Sequence, residues 1–487
     1  MTQPQTSTSP DPRRWIALVL LCAAQFMVVL DASIVNVALP SIQNDLGFSP
    51  DDLQWVVNAY TLVFGGFLLL GGRMADLLGR RRLFVLGLGL FSLASLLGGL
   101  AQSEGWLIGA RALQGLGAAV ISPAALSIVT TTFAEGKERN KALGIWGAIA
   151  GMGGAAGVLM GGMLTQWAGW EWVLFVNVPI GLAAALAAPR YIAESRMERA
   201  GQTFDALGAV AITSGLVILV YGLVKADDYG WGDGRTLGLL ALALALIAAF
   251  VAIEARSRSP LAPLSFFRNR TATAANIVGL LVAASLFAMF YFISLYLQRV
   301  LGFDALKAGL AYLPLALTIV VSAGVASQVV ERIGVKPALT FGLVMTALGL
   351  LWFSRVSADG SYVSDVLGPS ILAAIGLGFS FVSMTIAAVA GVRDDQAGLA
   401  SGLINTSQQV GGALGLAILV TVANSRTSDV AGGPADSAAL TEGFQNAFLF
   451  GSGFAVVGAL LSLVLLRHRE LRAAQAELAA RDGALPV

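Results

Sequence analysis

Long apolar runs, about fourteen in number, occupy most of this 487-residue chain and constrain its fold more than any other feature. Each run is long enough to cross the roughly 30 Å hydrocarbon core of a lipid bilayer as a helix. Only 12% of the residues are charged, whereas soluble domains carry about 25%, so the chain could not cover a surface that faces water. We therefore predict an all-α polytopic membrane protein whose surroundings are the lipid bilayer.

Basic residues are distributed unevenly between the two sets of loops. If the N-terminus lies in the cytoplasm, 23 of the 30 Lys and Arg residues fall in cytoplasmic segments, six fall outside, and Arg111 lies within a span. Positive charge accumulates on the cytoplasmic side of membrane proteins. The distribution predicts a multi-pass protein of the cytoplasmic (inner) cell membrane with both termini in the cytoplasm.

A weak internal repeat relates two loops that lie eight spans apart. With a shift of 255 residues, "GGRMADLLGRRRLF" aligns with "SQVVERIGVKPAL", so that Asp76 matches Glu331 and Gly79 matches Gly334. Two six-helix halves would place these loops six spans apart, so we expect two extra helices between the halves, an architecture typical of secondary transporters. The predicted regions are a disordered cytoplasmic N-terminus (1–13), a six-helix bundle (14–192), a linker with two extra helices (193–271), a second six-helix bundle (272–466) and a cytoplasmic tail (467–487).

Two charged side chains, Asp31 and Arg111, lie inside apolar runs. Counting 1.5 Å per residue, they lie roughly 10 Å and 8 Å inside the outer ends of the first and fourth helices, so we expect them to meet. An ionisable residue within a membrane is a functional candidate by default, and a static pair that joins two helices is the alternative. Burial favours the neutral acid and a nearby guanidinium favours the carboxylate, so a movement that alters either influence would bind or release a proton. Asp205, at the start of the first extra helix, is a weaker candidate for that role.

The loop after the second helix combines glycines, a carboxylate and several arginines. Gly72 permits close backbone approach at the helix end, and Gly79 permits a tight turn before the arginines. Asp76 can pair with these arginines or with a helix N-terminus. The alternative is a basic cluster that only holds the loop in the cytoplasm. The predicted electrostatic latch consists of Gly72, Asp76, Gly79, Arg80, Arg81 and, from the repeated loop, Glu331.

Glycines also recur in the fifth apolar run. Gly153, Gly157 and Gly161 are spaced by four residues, which creates a helix face that another backbone can approach closely. Plain packing and a hinge or seal between the two halves both fit this pattern.

Four segments, in order along the chain, resemble motifs of the major facilitator superfamily and of its fourteen-helix drug:proton antiporter branch. "GGRMADLLGRRR" resembles the cytoplasmic loop motif, with Leu77 where a basic residue is usual. "LDASIVNVALP", "ARALQGLGAAVISP" and "GIWGAIAGMGGAAGVLMGG" resemble the motifs of the first, fourth and fifth helices. The last is the antiporter motif, with glycines at Gly144, Gly153, Gly157, Gly161 and Gly162, and with Val158 in place of its proline. The resemblance implies the major facilitator fold and proton entry coupled to drug exit.

A substrate cavity is expected between the halves, lined by aromatic, methionine and amide side chains. Asn405 and Gln408 form a polar stripe on the thirteenth helix, and in lipid such a stripe must face protein or water. Gln114 shares a helix face with Arg111, where it can bind a ligand or a neighbouring helix. Rings and methionines offer broad, polarizable contact, and ring faces attract organic cations. The predicted lining residues are Gln25, Phe26, Asn58, Tyr60, Gln114, Met289, Tyr291, Asn405 and Gln408.

These features favour a proton-coupled secondary active exporter of hydrophobic or amphipathic drugs or antibiotics, acting as a monomer by alternating access. An exporter or proton symporter of one specific metabolite fits the same scaffold, since fold does not determine function. A membrane-embedded enzyme is disfavoured because the chain has one histidine and one cysteine and only scattered acids. We therefore expect no cofactor, no metal site and no nucleic-acid partner.

Overall fold

The computed structural model describes residues 13–133, 137–195, 205–257, 260–390, 392, 397–430 and 436–466. All regular structure in these ranges is helical, because a helix within lipid satisfies its own backbone hydrogen bonds. The long helices of these ranges are α1 (Arg13–Leu46), α2 (Trp55–Leu78), α3 (Arg80–Gly99), α4 (Glu104–Thr132), α5 (Lys137–Trp167), α6 (Asn177–Tyr191), α7 (Ala206–Tyr229), α8 (Gly234–Arg256), α9 (Arg270–Leu295), α10 (Leu313–Ile333), α11 (Val335–Phe353), α12 (Gly368–Val389), α13 (Ala397–Asp429) and α14 (Ser437–Leu465).

Short helical segments extend several of these helices. A four-residue helix precedes α6 (Trp172–Phe175), a seven-residue helix precedes α10 (Ala305–Ala311), and π-helical turns follow α9 (Tyr296–Val300) and precede α12 (Tyr362–Leu367). Within the described ranges, 13 helical stretches are long and apolar enough to cross a membrane. With the 31-residue α5, this matches the number of spans expected from the sequence.

The helices form two bundles. Helices α1 to α6 pack on one another, and α9 to α14 pack on one another. Small residues permit the closest approaches within each bundle: Gly117 of α4 lies against Phe91 of α3, and Gly349 of α11 lies against Ala373 of α12. Two six-helix bundles and two additional helices therefore account for the described long helices, as the spacing of the repeated loops predicts.

The additional helices α7 and α8 pack as a pair on one side of the molecule. Gly66 of α2 lies directly against Thr213 of α7, and an apolar cluster joins α7 to both α2 and α13 through Leu62, Leu216 and Ala413. Helix α8 packs on the outer side of α7. The inserted pair therefore covers the seam where α2 of the first bundle meets α13 of the second.

The repeated loops adopt the same backbone turn. Gly79 (φ +114°) joins α2 to α3, and Gly334 (φ +89°) joins α10 to α11. Both conformations lie in the region that favours glycine, which explains why glycine occupies both positions. We name the end of the molecule that carries the α2–α3 turn the Gly79 face, and the opposite end, where α1 finishes near Gly47, the Gly47 face.

Candidate functional site

The charged centre of the molecule is Asp31 on α1, which is fully buried. Its Oδ2 atom accepts a hydrogen bond from Arg111 Nη1 at 2.5 Å, and the two side chains form an ion pair. Its Oδ1 atom accepts hydrogen bonds from the side-chain amides of Gln114, at 3.0 Å, and Asn177, at 2.8 Å. Helices α1, α4 and α6 therefore meet at one carboxylate.

Arg111 contacts three residues besides Asp31. Its Nε atom donates to the backbone oxygen of Val56 at 2.9 Å, and Nη1 also donates to Oε1 of Gln114 at 2.8 Å. The guanidinium carbon lies 4.5 Å from the centre of the Tyr60 ring, which places the cation over an aromatic face. A planar guanidinium suits such a site because it satisfies several acceptors at once. Breaking a buried pair by removing one partner costs about 3–5 kcal/mol, so this pair firmly joins α1, α2 and α4.

Two members of this network were missed by the sequence analysis. Asn177 supplies one of the three donors to Asp31, and Ser95 accepts a hydrogen bond from Gln114 Nε2 at 2.7 Å. Asn177 is a single amide within the apolar stretch "VLFVNVPIG", and this isolation is a signal that could have identified it. Ser95 carries no comparable signal, because small hydroxyl residues are common in transmembrane helices.

Helix α1 presents different residues to its different neighbours. Gln25, Val29 and Ala32, spaced by four and three residues, form one stripe and are partly exposed. Val29 lies at the edge of this stripe and also contacts α5 at Gly153. At 100° per residue, Asp31 lies roughly 130° around the helix from this stripe, on the side that faces α4 and α6. The carboxylate therefore points away from the space that the stripe faces.

The two bundles touch at the Gly47 face. Ser294 of α9 donates to the backbone oxygen of Asn36 at 2.7 Å, and one turn later Gln298 donates to that of Val37 at 2.9 Å. The largest apolar cluster runs from the second bundle into the part of the first bundle nearest this face, whereas the part nearest the Gly79 face has its own cluster. We call this closed contact the gate, and its residues are Asn36, Val37, Gly162, Ser294, Gln298 and Ala305.

The glycines of α5 face two different partners. A Cβ atom on Gly153 would lie 3.0 Å from Cβ of Val29, one on Gly157 would lie 2.9 Å from the backbone oxygen of Leu30, and one on Gly161 would lie 2.6 Å from that of Ile34. These three glycines therefore hold α5 against α1 within the first bundle.

Gly162 faces the second bundle. A Cβ atom there would lie 2.5 Å from the backbone oxygen of Ala305, and a Cβ on Gly309 would lie 2.6 Å from that of Val158. Close packing within a bundle and a contact between bundles thus occur on the same helix. Gly144 lies in α5, but its surroundings are outside the part of the chain that the structure describes.

A stripe on α13 faces the interior between the bundles. Ser407 donates to Asn276 of α9 at 2.8 Å, and Gln409 lies against Gly65 of α2. Asn405 and Gln408 lie between these two contact faces around the helix, and both are at least partly exposed. We expect the stripes on α1 and α13 to line one cavity, which the gate would close on the side of the Gly47 face.

The residues predicted to line a cavity divide into two groups. Gln25, Phe26, Asn405 and Gln408 are partly or fully exposed, whereas the other five are buried in this conformation, which differs from the expectation. Gln114 and Tyr60 already bind the charged centre, because a buried amide or ring next to an ion pair is drawn into its network. The remaining buried members are Asn58, which donates to Gln54 at 3.3 Å, Met289 and Tyr291.

The described residues of the predicted latch lie within the first bundle in this conformation. Arg80 binds Asp76 through Nε at 2.9 Å, and Ser127 of α4 donates to the same carboxylate oxygen at 3.3 Å. A Cβ on Gly72 would lie 3.3 Å from Pro123 of α4, so this glycine allows α2 and α4 to pack closely. The side chain of Glu331, in α10, is outside the described part of the chain.

Glu194, which follows α6, is a further latch residue that the sequence analysis missed. Its two carboxylate oxygens accept hydrogen bonds from the backbone N–H groups of Arg81, at 3.1 Å, and Arg82, at 3.2 Å. A carboxylate at a helix N-terminus satisfies free donors and complements the helix dipole. Glu194 therefore caps α3, directly after the Gly79 turn.

Asp205 has a local role in the structure. It is the N-cap of α7, where its Oδ1 atom accepts a hydrogen bond from the backbone N–H of Gly208 at 2.7 Å. This is the contact expected of an ordinary carboxylate at a helix start.

Comparison with known proteins places these features in a family. The family model described as Major Facilitator Superfamily matches residues 21–416. The cephamycin export protein CmcT of Amycolatopsis lactamdurans is 43% identical over 94% of this chain and 94% of that protein. The puromycin resistance protein pur8 of Streptomyces alboniger is 40% identical over 94% of this chain and 93% of that protein.

A solved structure shares the fold at low sequence identity. A bacterial homologue of the human lysosomal transporter Spinster, in an inward-facing and unoccupied conformation, matches with a TM-score of 0.65 and 18% identity. The match covers 95% of this chain and 98% of that one. It concerns the arrangement of the helices alone.

Proposed function

We propose that this chain, which belongs to the Major Facilitator Superfamily, exports hydrophobic or amphipathic drug-like molecules, such as antibiotics, in exchange for protons. Support comes from relatives that are named as export and resistance proteins and that match over nearly their whole length. In this proposal the protein lies in the cytoplasmic membrane and works as a monomer, with the Gly79 face and both termini in the cytoplasm. The segments 14–192 and 272–466 then move relative to each other during alternating access.

The proposed coupling of proton entry to cargo exit rests on one observation, which is that α1 contacts all the parts that antiport requires. It holds the buried carboxylate Asp31 on one side and packs on the α5 glycines on another. A third side carries the cavity stripe that begins at Gln25, and the backbone oxygens of Asn36 and Val37 hold the gate. A shift of α1 therefore reaches the proton site, the cavity and the gate together.

The cycle follows from the electrostatics of this arrangement. In the conformation described, Arg111 pairs with Asp31, and the two bundles are in contact at the gate. Cargo enters from the Gly79 face, and the bundles then open at the Gly47 face. There a proton binds Asp31 and weakens its attraction to Arg111, which stays bound to Val56 and Tyr60. After the cargo leaves, the bundles close again, Arg111 returns to the carboxylate, and the proton leaves towards the cytoplasm.

The arrangement separates proton binding from cargo binding. Asp31 lies on the side of α1 that faces away from the cavity stripe and is fully buried. Cargo and proton therefore compete through the position of α1 and not by direct contact. Loss of the charge pair should abolish coupling while leaving cargo binding in place.

The test uses everted membrane vesicles that are energised with a respiratory substrate and report an acidic lumen with a fluorescent dye. Puromycin, a cephamycin and a set of other cationic and neutral drugs are added to wild-type vesicles and to vesicles with Asp31→Asn. Drug-dependent release of protons from wild type, absent in Asp31→Asn, is the expected result. Asp205→Asn is the matched carboxylate control and should behave as wild type, because Asp205 caps a helix.

Correct folding is checked separately, since Asp31→Asn leaves Arg111 buried without its counter-ion. The double variant Asp31→Asn/Arg111→Gln removes both charges and should elute and melt more like wild type, yet remain uncoupled. If Asp31→Asn and wild type release protons alike, the pair is only a static link between helices. If no drug releases protons from any vesicle, the proposed antiport is wrong.

A further inference from the structure

The two described stripes that we place on the walls of the cavity carry no charged side chain. The stripes formed by Gln25, Val29 and Ala32 on α1 and by Asn405 and Gln408 on α13 carry amides and apolar groups only. The ion pair of Asp31 and Arg111 lies on a different side of α1, where the two side chains bind each other and face α4 and α6. A molecule in the cavity therefore meets amides without a counter-ion.

The amides of the stripes can both donate and accept hydrogen bonds. Gln25 has a buried Oε1 atom with no hydrogen-bond partner among the described residues. Asn405 bonds only to its own helix, through the backbone oxygen of Ser401 at 2.8 Å. A buried amide oxygen without a partner costs free energy, so the Oε1 atom of Gln25 can accept a hydrogen bond from a bound molecule. The exposed amide of Asn405 can also bond to polar groups of that molecule.

Aromatic rings near the stripes offer apolar contact. Phe26 is partly exposed beside the α1 stripe, and the ring of Phe287 lies against Gly412, one turn beyond Gln408. Tyr60, one of the rings predicted to line the cavity, already holds the guanidinium of Arg111. The cavity thus combines rings with amides, and the cation–π position at Tyr60 is occupied.

Charged groups occur in a different pocket, beyond the gate. A pocket of about 550 Å³ at the Gly47 face is lined by Arg299 and Asp304 together with amides such as Gln166. Ionic groups therefore line a pocket on the outer side of the gate, whereas the two stripes on the inner side carry none. Burying an ion without a partner is far more costly than burying a neutral polar group that finds hydrogen bonds.

We propose that the cavity binds uncharged amphipathic molecules that carry amide, carbonyl or hydroxyl groups beside an apolar or aromatic body, and that it rejects molecules with a fixed charge of either sign. This inference rests on the proposed export function, whose substrate class it narrows. Basic or acidic cargo would enter the cavity in its neutral form. The cavity would therefore reject an ion because the ion loses its hydration there without gaining a counter-ion.

The test measures binding to the purified full-length protein in lipid nanodiscs, without a proton gradient. The probes are three dansyl amides of matched size that end in a hydroxyethyl, a trimethylammonioethyl or a sulfonatoethyl group. The hydroxyethyl probe should bind at least about tenfold more tightly than either ionic probe. Equal or tighter binding of an ionic probe, or no binding of the neutral probe, would overturn the proposal.

A charge variant tests whether the stripe is responsible. Gln408→Glu places a carboxylate in the cavity and should raise the affinity for the trimethylammonio probe by at least about tenfold. Gln166→Glu is the same substitution in the outer pocket and should leave all three affinities unchanged. An unchanged cation affinity in a correctly folded Gln408→Glu would contradict the assignment of this stripe. Failure of export is distinguishable, because it would leave these binding constants intact while vesicles show no drug-driven proton release.

Discussion

Replacing Gly161 by alanine tests whether the α1–α5 contact controls the charged centre. A Cβ at this position would lie 2.6 Å from the backbone oxygen of Ile34, and ordinary contact begins at 3.4 Å. The helices must therefore separate by about 0.8 Å (3.4 − 2.6) at this point. Backbone atoms cannot rotate away as a side chain can, so the strain falls on α1, three residues from Asp31.

The energetic effect of this substitution is the balance of two terms. Overpacking costs about 1–3 kcal/mol, whereas alanine is a better helix former than glycine by about 1 kcal/mol. Gly154→Ala, on the same helix, is the matched control, because a Cβ there would meet nothing within 4 Å. The two variants should therefore differ in the free energy of unfolding by about 1–3 kcal/mol, with Gly161→Ala the less stable.

Thermal unfolding in detergent measures the stability difference, and everted vesicles measure coupling. We expect Gly161→Ala to melt at a lower temperature and to release fewer protons per drug addition, because displacement of α1 disturbs both the Asp31–Arg111 pair and the gate. Gly154→Ala should match or exceed wild type in both assays. If the two variants behave alike, the close contact between α1 and α5 carries neither strain nor coupling, and the reasoning is refuted.

Two other substitutions test single hydrogen bonds. Asn177→Ala removes one of three donors to the Asp31 carboxylate and should lower the free energy of unfolding by about 1.5–3 kcal/mol. Thermal unfolding measures this loss against Asn446→Ala, which removes a hydrogen bond to the backbone of its own helix. Equal melting of these two variants would mean that the donor at Asn177 contributes nothing. Ser294→Ala removes a hydrogen bond of about 1 kcal/mol from the gate. The gate should then open more often, and maleimide added from the Gly47 face should label Val37→Cys roughly fivefold faster in a Cys22→Ala background. Unchanged labelling would show that this bond does not hold the gate closed.

In the proposed function, cargo selection and proton coupling lie on different sides of one helix, roughly 130° apart around α1. The ionic pair lies within the first bundle, and the proposed cavity stripes carry neutral groups. An exporter arranged in this way can change its cargo by substitutions on the stripes of α1 and α13 without altering its proton site. This would explain how relatives of similar sequence are named for chemically different antibiotics.

Much of the architecture followed from the sequence alone. The apolar runs predicted the number of helices, because a polypeptide in lipid must satisfy its backbone within each span. The repeated loops eight spans apart predicted two additional helices, and the similar turns at Gly79 and Gly334 agree with that repeat. The meeting of Asp31 and Arg111 was also accessible, because two buried opposite charges at equal depth have few other partners.

Only the tertiary structure decided which way each helix faces. A polar residue such as Gln114 can face a cavity or a neighbouring helix at equal local cost, and packing assigned it to the charged centre with Tyr60. Asn177 donates to Asp31, and Glu194 accepts from the backbone N–H groups of Arg81 and Arg82. In both cases the two partners are distant in sequence, so no local pattern indicates which groups they bind. Helical periodicity identifies residues that share a face, but the rotation of that face depends on contacts made by every helix around it.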